Sequence, residues 1–240
     1  MKTDIGIIAA MQIEIDGIIS LLTETETETE NVSGMDFVSG ILRGKRVVAV
    51  KCGVGKVFAA VCTQTMILKY SPGCIINTGV AGALSKDLSC LDIVVADSVV
   101  QHDMDTSPLG DPKGMISGIN MVKIPADKVV SDTLATSVTA AADNNSRLYR
   151  GIIASGDKFV ANAGEKQYIS ELFGACACEM EGAAIGQTAY INGIPFGVIR
   201  AISDNGDSAA DSAMDFAAFA KKAAGLCIRA VEDFAARYNI

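Results

Sequence analysis

Apolar residues fall along this chain in two rhythms. Over 4–10, 91–100, 148–155 and 195–203 they run almost unbroken. Such runs predict strands covered on both faces, as in the parallel interior of an α/β sheet. Over 11–22 the apolar positions are Met11, Ile15, Ile18, Ile19 and Leu22, and over 127–142 they are Val130, Leu134, Val138 and Ala141. Steps of three and four predict amphipathic helices. A third such helix spans 211–238, with Phe216, Ala220, Ala223, Cys227, Val231 and Phe234 on one face. Shorter strands are expected over 74–78 and 176–179. Strands over 35–42 and 46–51 flank Arg43-Gly44-Lys45 in a hairpin pattern.

The connections carry their own signals. Residues 52–61 read as a glycine turn opening a helix, and 77–82 (N-T-G-V-A-G) as a second glycine-rich strand exit. A helical run after Met180 stops at Asn192-Gly193. Asn162 with Glu165 three residues later matches a capping box. Residues 23–30 repeat Thr-Glu with no apolar side to bury, which predicts an exposed loop or a frayed hairpin end. The Pro/Gly-rich stretch 106–118 predicts a loop long enough to be a lid or an interface arm. Strands and helices alternate without a linker-like break. The expected fold class is therefore α/β: one domain over 1–240, with a central mixed, mostly parallel sheet flanked by helices.

Charge and cysteine content narrow the function classes. Half of the 240 residues are hydrophobic, ample for a core, and 20 basic against 28 acidic residues give a net charge of −8. An acidic surface argues against a nucleic-acid partner. The seven cysteines include no metal-spaced CxxC pair, and Cys176-Ala177-Cys178 has no histidine nearby. Reduced, buried thiols in a cytoplasmic protein are expected, with no metal and no other cofactor. His102 is the only histidine, and alone between acidic residues it reads as a structural hydrogen-bonding group. No apolar run reaches the roughly 18 residues of a membrane span, so a soluble protein is expected.

Three acids follow predicted strands: Glu14 in the first turn of a helix, Glu181 after the strand 176–179, and Asp204 at the end of 195–203. Ligands in α/β folds bind at such strand ends. Clustered, buried carboxylates raise one another's pKa, so one acid stays protonated beside an ionised base. That is the equipment for cleaving a bond to an oxocarbenium-forming sugar carbon. Glu14 in a first helical turn is equally read as capping electrostatics. Gly53, Gly55 and Ala59 approximate a dinucleotide-binding turn, but the strand 74–78 lacks the acidic residue that a ribose would need at its end.

The segments I-G-I-I-A-A-M-x-x-E (5–14), G-V-G-K (53–56), N-T-G-x-A-G (77–82), S-G-D-x-F (155–159), E-M-E-G (179–182) and R-A-I-S-D (200–204) together resemble one family. It is the 5′-methylthioadenosine/S-adenosylhomocysteine nucleosidases of the purine nucleoside phosphorylase superfamily. The resemblance implies hydrolysis of an adenosine N-glycosidic bond with Glu14 as general base, activating water, and Asp204 as the acid that protonates adenine N7. It further implies that Ser203 holds Asp204, that Glu181 accepts from the ribose hydroxyls, and that Met180 packs beneath the sugar. Phe159 would stack on adenine, the Val160 backbone would read its edge, and Ala81 and Gly82 would border it. Arg200 would orient the acidic cluster, and Met11 and Glu179 also fall at substrate-binding positions. Val54, Thr106, Leu109 and Met214 fall where the family walls the 5′-thio pocket. Val80, Leu109 and Met214 depart from the residues common there, which leaves the preferred 5′-substituent open among methylthio, homocysteinyl and deoxy forms. A phosphorylase on the same fold and a non-catalytic nucleoside- or NAD-binding module are the alternatives. The resemblance also implies a homodimer in which part of 106–118 closes the neighbour's pocket.

Overall fold

The computed structural model describes residues 3–23, 27–141, 146–204 and 213–239, apart from the side chains of Asp204 and of residues 213–220. Strand β1 (Ile5–Ala9) is buried along its whole length. Ile5, Ile7 and Ala9 face a core shared with helices α1 (Gln12–Ser20), α3 (Lys128–Ala141) and α6 (Ala213–Arg237). Ile8 faces the opposite core, shared with α2 (Lys56–Tyr70) and α5 (Gly182–Ile191). Burial on either side of the sheet is why the run shows no polar alternation. A third cluster sits under α4 (Ala163–Phe173), where Ile169 and Phe173 cover Ala154, Ala175 and Cys178.

The sheet runs β10 (Phe196–Asp204), β6 (Ile93–Gln101), β8 (Leu148–Ser155), β9 (Ala175–Glu179), β5 (Cys74–Ala83), β1, β4 (Lys45–Lys51), β3 (Met35–Leu42) and β2 (Glu28–Val32), with β7 (Ile124–Pro125) beside β6. Strand β10 also pairs with β5, so β10, β6, β8, β9 and β5 close on themselves while β1, β4, β3 and β2 extend outward. Parallel pairings join β1 to β4 and β5, β5 to β10, and β8 to β6 and β9; the others are antiparallel. The registers gather one corner of the closed sheet: Gly82 pairs with Cys178 and with Asp204, and Ser155 with Glu179.

Two expectations change. The strand expected to stop at Thr78 continues to Ala83, because its small residues still find partners in β10 and then in β9. The Thr-Glu tract is in part ordered backbone rather than loop: Glu28–Val32 pairs antiparallel with β3. A strand with no apolar side fits an outer edge, where solvent reaches both faces and charge discourages further pairing. Glu30 in it is held by Lys69 and by the Tyr70 hydroxyl at 2.9 Å. Residues 24–26 lie outside the described residues.

The other elements match expectation to within a few residues. Asn162 caps α4, its Oδ1 accepting from the Gly164 and Glu165 amides. The Glu165 carboxylate takes Lys158 instead of completing the box, with Nζ at 2.8 Å. Residues 106–118 hold a short 3₁₀ turn, Ser107–Leu109, and a single antiparallel bridge from Ile116 to Met121. Cys52, Cys62, Cys74 and Cys227 are buried thiols outside any disulfide. Among the described residues no helix is long and apolar enough to cross a membrane.

Close packing of α5 on the sheet depends on Gly186, where a Cβ would lie 2.7 Å from Phe196 Cε2 and 2.8 Å from Val99 Cγ2. Gly186→Ala is expected to lower stability by about 1–3 kcal/mol through overpacking. Urea unfolding checks this, and an unchanged midpoint would contradict the packing described.

Candidate active site

A cavity of about 270 Å³ opens at the gathered corner of the sheet, near the lower end of small-molecule sites at roughly 300–1,000 Å³. Met11 and Glu14 reach it from the start of α1, Val54 from the turn before α2, and Ala81 and Gly82 from β5. Phe159 and Val160 come from the loop after β8, Glu179, Met180 and Glu181 from the β9–α5 junction, and Ser203 from β10. Phe159 is 66% exposed and Val54 52%, so the apolar side is open, while the acidic side is deep. Arg200 is not in the lining; it is buried behind the acids. Asp204 stands opposite Gly82 in the register, so its backbone is at the cavity. Its side chain and that of Met214 lie outside the described residues.

Glu14 does two things at once. One oxygen accepts from the Ala10 and Met11 amides at 3.1 and 2.9 Å, capping α1. The other accepts from the Val80 amide at 3.0 Å, which ties α1 to β5. Room for the carboxylate comes from Gly79, where a Cβ would meet Glu14 Oε1 at 2.7 Å. Burial raises the Glu14 pKa, against the opposing pull of the Arg200 charge and of these amides.

Glu179 and Glu181 are two residues apart and behave oppositely. Glu179 accepts from the Ser155 hydroxyl, from Arg200, from the Glu181 amide at 3.0 Å and from the Gly182 amide at both oxygens. Burial alone would raise its pKa, but the Arg200 charge and these bonds outweigh it and hold the carboxyl below the usual glutamate range. With its acceptor positions taken inside the protein, Glu179 is a supporting group at the cavity wall. Arg200 is fixed in turn by Asn77 Oδ1 and by the Ile199 carbonyl, and Asn77 donates to the Ile8 carbonyl at 3.0 Å. Glu181 accepts from the Gly55 amide at 2.8 Å. Burial first, and the neighbouring Glu179 charge second, push its pKa up to about 7.

The glycine turn that invited a dinucleotide reading is occupied by the protein itself. The Gly55 amide goes to Glu181, and the Lys56 amide goes to Asp157 Oδ1 at 2.7 Å. An anion-binding turn filled by two carboxylates does not offer those amides to a pyrophosphate. His102 also differs from expectation: its buried Nε2 has no hydrogen-bond partner among the described residues, and the ring packs on Gly156, where a Cβ would come within 2.4 Å. Burial keeps its pKa below the usual value, so a neutral ring packs there.

Asn77, Ser155, Asp157 and Lys56 each lie inside one of the motifs, but the motifs alone give them no role. Lys158 and Cys178 line the cavity as well, with no sequence signal to mark them. Only the spacing of Asn77 and Ser155 at buried strand positions could have flagged them, since a buried polar side chain needs a partner. Among the described residues no group of three or more His, Cys, Asp or Glu is arranged to hold a metal ion.

The family model described as the Phosphorylase superfamily matches residues 4–236. A 5′-methylthioadenosine/S-adenosylhomocysteine nucleosidase of Shewanella oneidensis is 39% identical over 220 residues, 91% of this chain and 90% of that one. The Neisseria meningitidis nucleosidase of the same name, solved in complex with methylthio-immucillin-A, superposes with a TM-score of 0.91 at 30% identity, covering 98% of this chain and 100% of the other. A futalosine hydrolase of Helicobacter pylori superposes with a TM-score of 0.87 at 34% identity over 97% of each chain. Family match and overall likeness agree, and the chain belongs to the 5′-methylthioadenosine/S-adenosylhomocysteine nucleosidase family of the phosphorylase superfamily.

Proposed function

We propose that the chain hydrolyses the N-glycosidic bond of 5′-thio-substituted adenosines, releasing adenine and the thioribose. The observation that carries this reading is the convergence of Glu14 and Glu181, far apart in sequence, on one cavity with an aromatic side chain at its open wall. Water would lose a proton to Glu14 as its oxygen bonds to the anomeric carbon. The bond from that carbon to adenine breaks, and Asp204 supplies a proton to N7 so that the base leaves neutral. Glu181 accepts from the ribose hydroxyls and offsets the positive charge that builds on the sugar. Phe159 covers the base, Val160 lies at its edge, and Met11, Met180 and Val54 supply apolar contact to sugar and 5′-group. Ser203 would help hold Asp204, Met214 would wall the 5′-thio pocket, and Arg200 acts from behind through Glu179.

Water is favoured over phosphate as nucleophile. A phosphate site needs free cationic donors, but among the described residues no arginine lines the cavity, Lys158 in the lining is paired with Glu165, and Glu14 would repel the anion. The reading includes a homodimer: α2 leaves Val57, Phe58 and Val61 exposed, an apolar face that a second copy of the chain would cover. Leu109, 84% exposed in the 106–118 loop, is the side chain that would reach a neighbour's 5′-pocket. The buried thiols fit a reducing compartment such as the cytoplasm.

Adenine release is measured in phosphate-free buffer from methylthioadenosine, S-adenosylhomocysteine and 5′-deoxyadenosine, with futalosine run alongside. Release of adenine without phosphate is expected from the thio-nucleosides, and Glu14→Gln is expected to lower kcat by roughly 10²–10⁴-fold with binding retained. No release from any of them, or release that depends on phosphate, contradicts the proposal. Light scattering is expected to give the mass of two chains, and a fully active monomer would rule out the dimer.

A further inference from the structure

Outside the cavity, two carboxylates tie the turn before α2 to the neighbouring ends of β6 and β8, which pair in the sheet as far as Gln101 and Ser155. The Lys56 amide donates to Asp157 Oδ1 at 2.7 Å, the Asp157 amide donates to Asp103 Oδ2 at 2.9 Å, and Lys56 Nζ donates to Asp103 Oδ1 at 2.6 Å. These bonds form a closed ring through the turn before α2, the end of β6 and the loop after β8. Gly55 completes the fit: it holds φ +103°, and a Cβ on it would lie 3.1 Å from Asp157 Oδ1. Burial would raise the Asp103 pKa, but the bonds from Lys56 and the Asp157 amide outweigh it, and the group is held below the usual carboxylate range.

An exposed ion pair contributes little, and this one has side-chain exposures of 18% for Lys56 and 30% for Asp103. Its importance lies in what it connects. One residue before Lys56, the Gly55 amide holds Glu181. Two and three residues after Asp157, the exposed Phe159 and the buried Val160 line the cavity. Neither flanking loop has regular hydrogen bonding of its own over 52–55 or 156–162.

We propose that Asp157 and Asp103, with Lys56, are positioning residues whose ring of hydrogen bonds locks the 53–56 turn to the Phe159 loop, keeping the Glu181 carboxylate and the aromatic wall in fixed relation. The effect on turnover rests on the nucleosidase reading above. The ring makes an asymmetric demand on its two acids. Asp157 uses a single oxygen, so asparagine keeps the acceptor that the Lys56 amide needs. Asp103 uses both oxygens on two different donors, so asparagine must set an NH₂ against one of them.

The test compares Asp157→Ala, Asp157→Asn and Asp103→Asn with the wild type. With methylthioadenosine, Asp157→Ala and Asp103→Asn are expected to raise KM by about tenfold or more and to lower kcat by about threefold or more as Glu181 loses its place, and Asp157→Asn to stay within about threefold of wild type in both. Hydrogen exchange at the amides of Gly55, Lys56 and Asp157 is expected to quicken in the two impaired variants and not in Asp157→Asn, with β1 amides unchanged. Unaltered KM and exchange in Asp157→Ala, or Asp157→Asn as impaired as Asp157→Ala, would overturn the proposal. A wild type that releases no adenine would remove the nucleosidase reading, and exchange at those three amides would then decide the ring by itself.

Discussion

The site is organised by a buried ion pair. Arg200 and Glu179 have side chains only 2% and 3% exposed and are in direct contact. Such a pair is a poor source of stability, because desolvating two charges consumes most of their attraction, and apolar replacements often do as well. What it does here is decide where charge resides. Arg200 keeps Glu179 ionised, and Glu179 in turn binds the amides at the start of α5, where a negative charge suits the helix dipole. The next carboxylate along, Glu181, then faces a fixed negative neighbour in a buried place, and its proton becomes harder to remove. Two glutamates of the same motif are thereby given opposite characters.

Small residues make that arrangement reachable. Gly79 lets the Glu14 carboxylate lie directly on β5, and the run of small residues lets β5 pair on both sides without bulky side chains intruding on the cavity. Closure of β10 onto β5 removes a free edge and brings Gly82, Cys178 and the backbone of Asp204 together. The acids of the deep wall are thus set by sheet register, whereas Phe159 and Val54 stand on loops. Loops tied down by a few polar contacts are where a pocket can adapt to its ligand.

Much of this was legible in the residues, for physical reasons. Runs such as 4–10 and 195–203 have no polar face because helices cover both sides, and the helix over 127–142 shows its buried stripe at Val130, Leu134 and Val138. The continuation of β5 through Gly79 and Gly82 was hidden, since glycines look like an exit until a partner strand is known. The edge strand at Glu28–Val32 was hidden because, apart from Val32 against the core, its contacts are backbone bonds to β3 and polar ties. At the site, Glu179 and Glu181 look alike in sequence; what separates them is Arg200, a partner fixed by tertiary register. Asp103 and Asp157 sit in turns, where acids are common and unremarked, and only coordinates show that their oxygens meet the same lysine residue.

Arg200 holds Glu179 ionised, while burial and that neighbouring charge raise Glu181, and carboxyl titration by site-resolved NMR reads the difference. The carboxyl carbons of Glu179 and Glu181 are followed as pH is lowered from 9. Glu181 is expected to take up its proton near pH 7, while Glu179 remains ionised until the pH has fallen below the ordinary glutamate range of about 4.3. The sign also fixes stability. Glu179, with its folded pKa depressed, contributes stability that is present above its unfolded pKa and is lost as pH falls through the folded one. Two glutamates titrating together near the ordinary value would rule out this division of charge between Glu179 and Glu181.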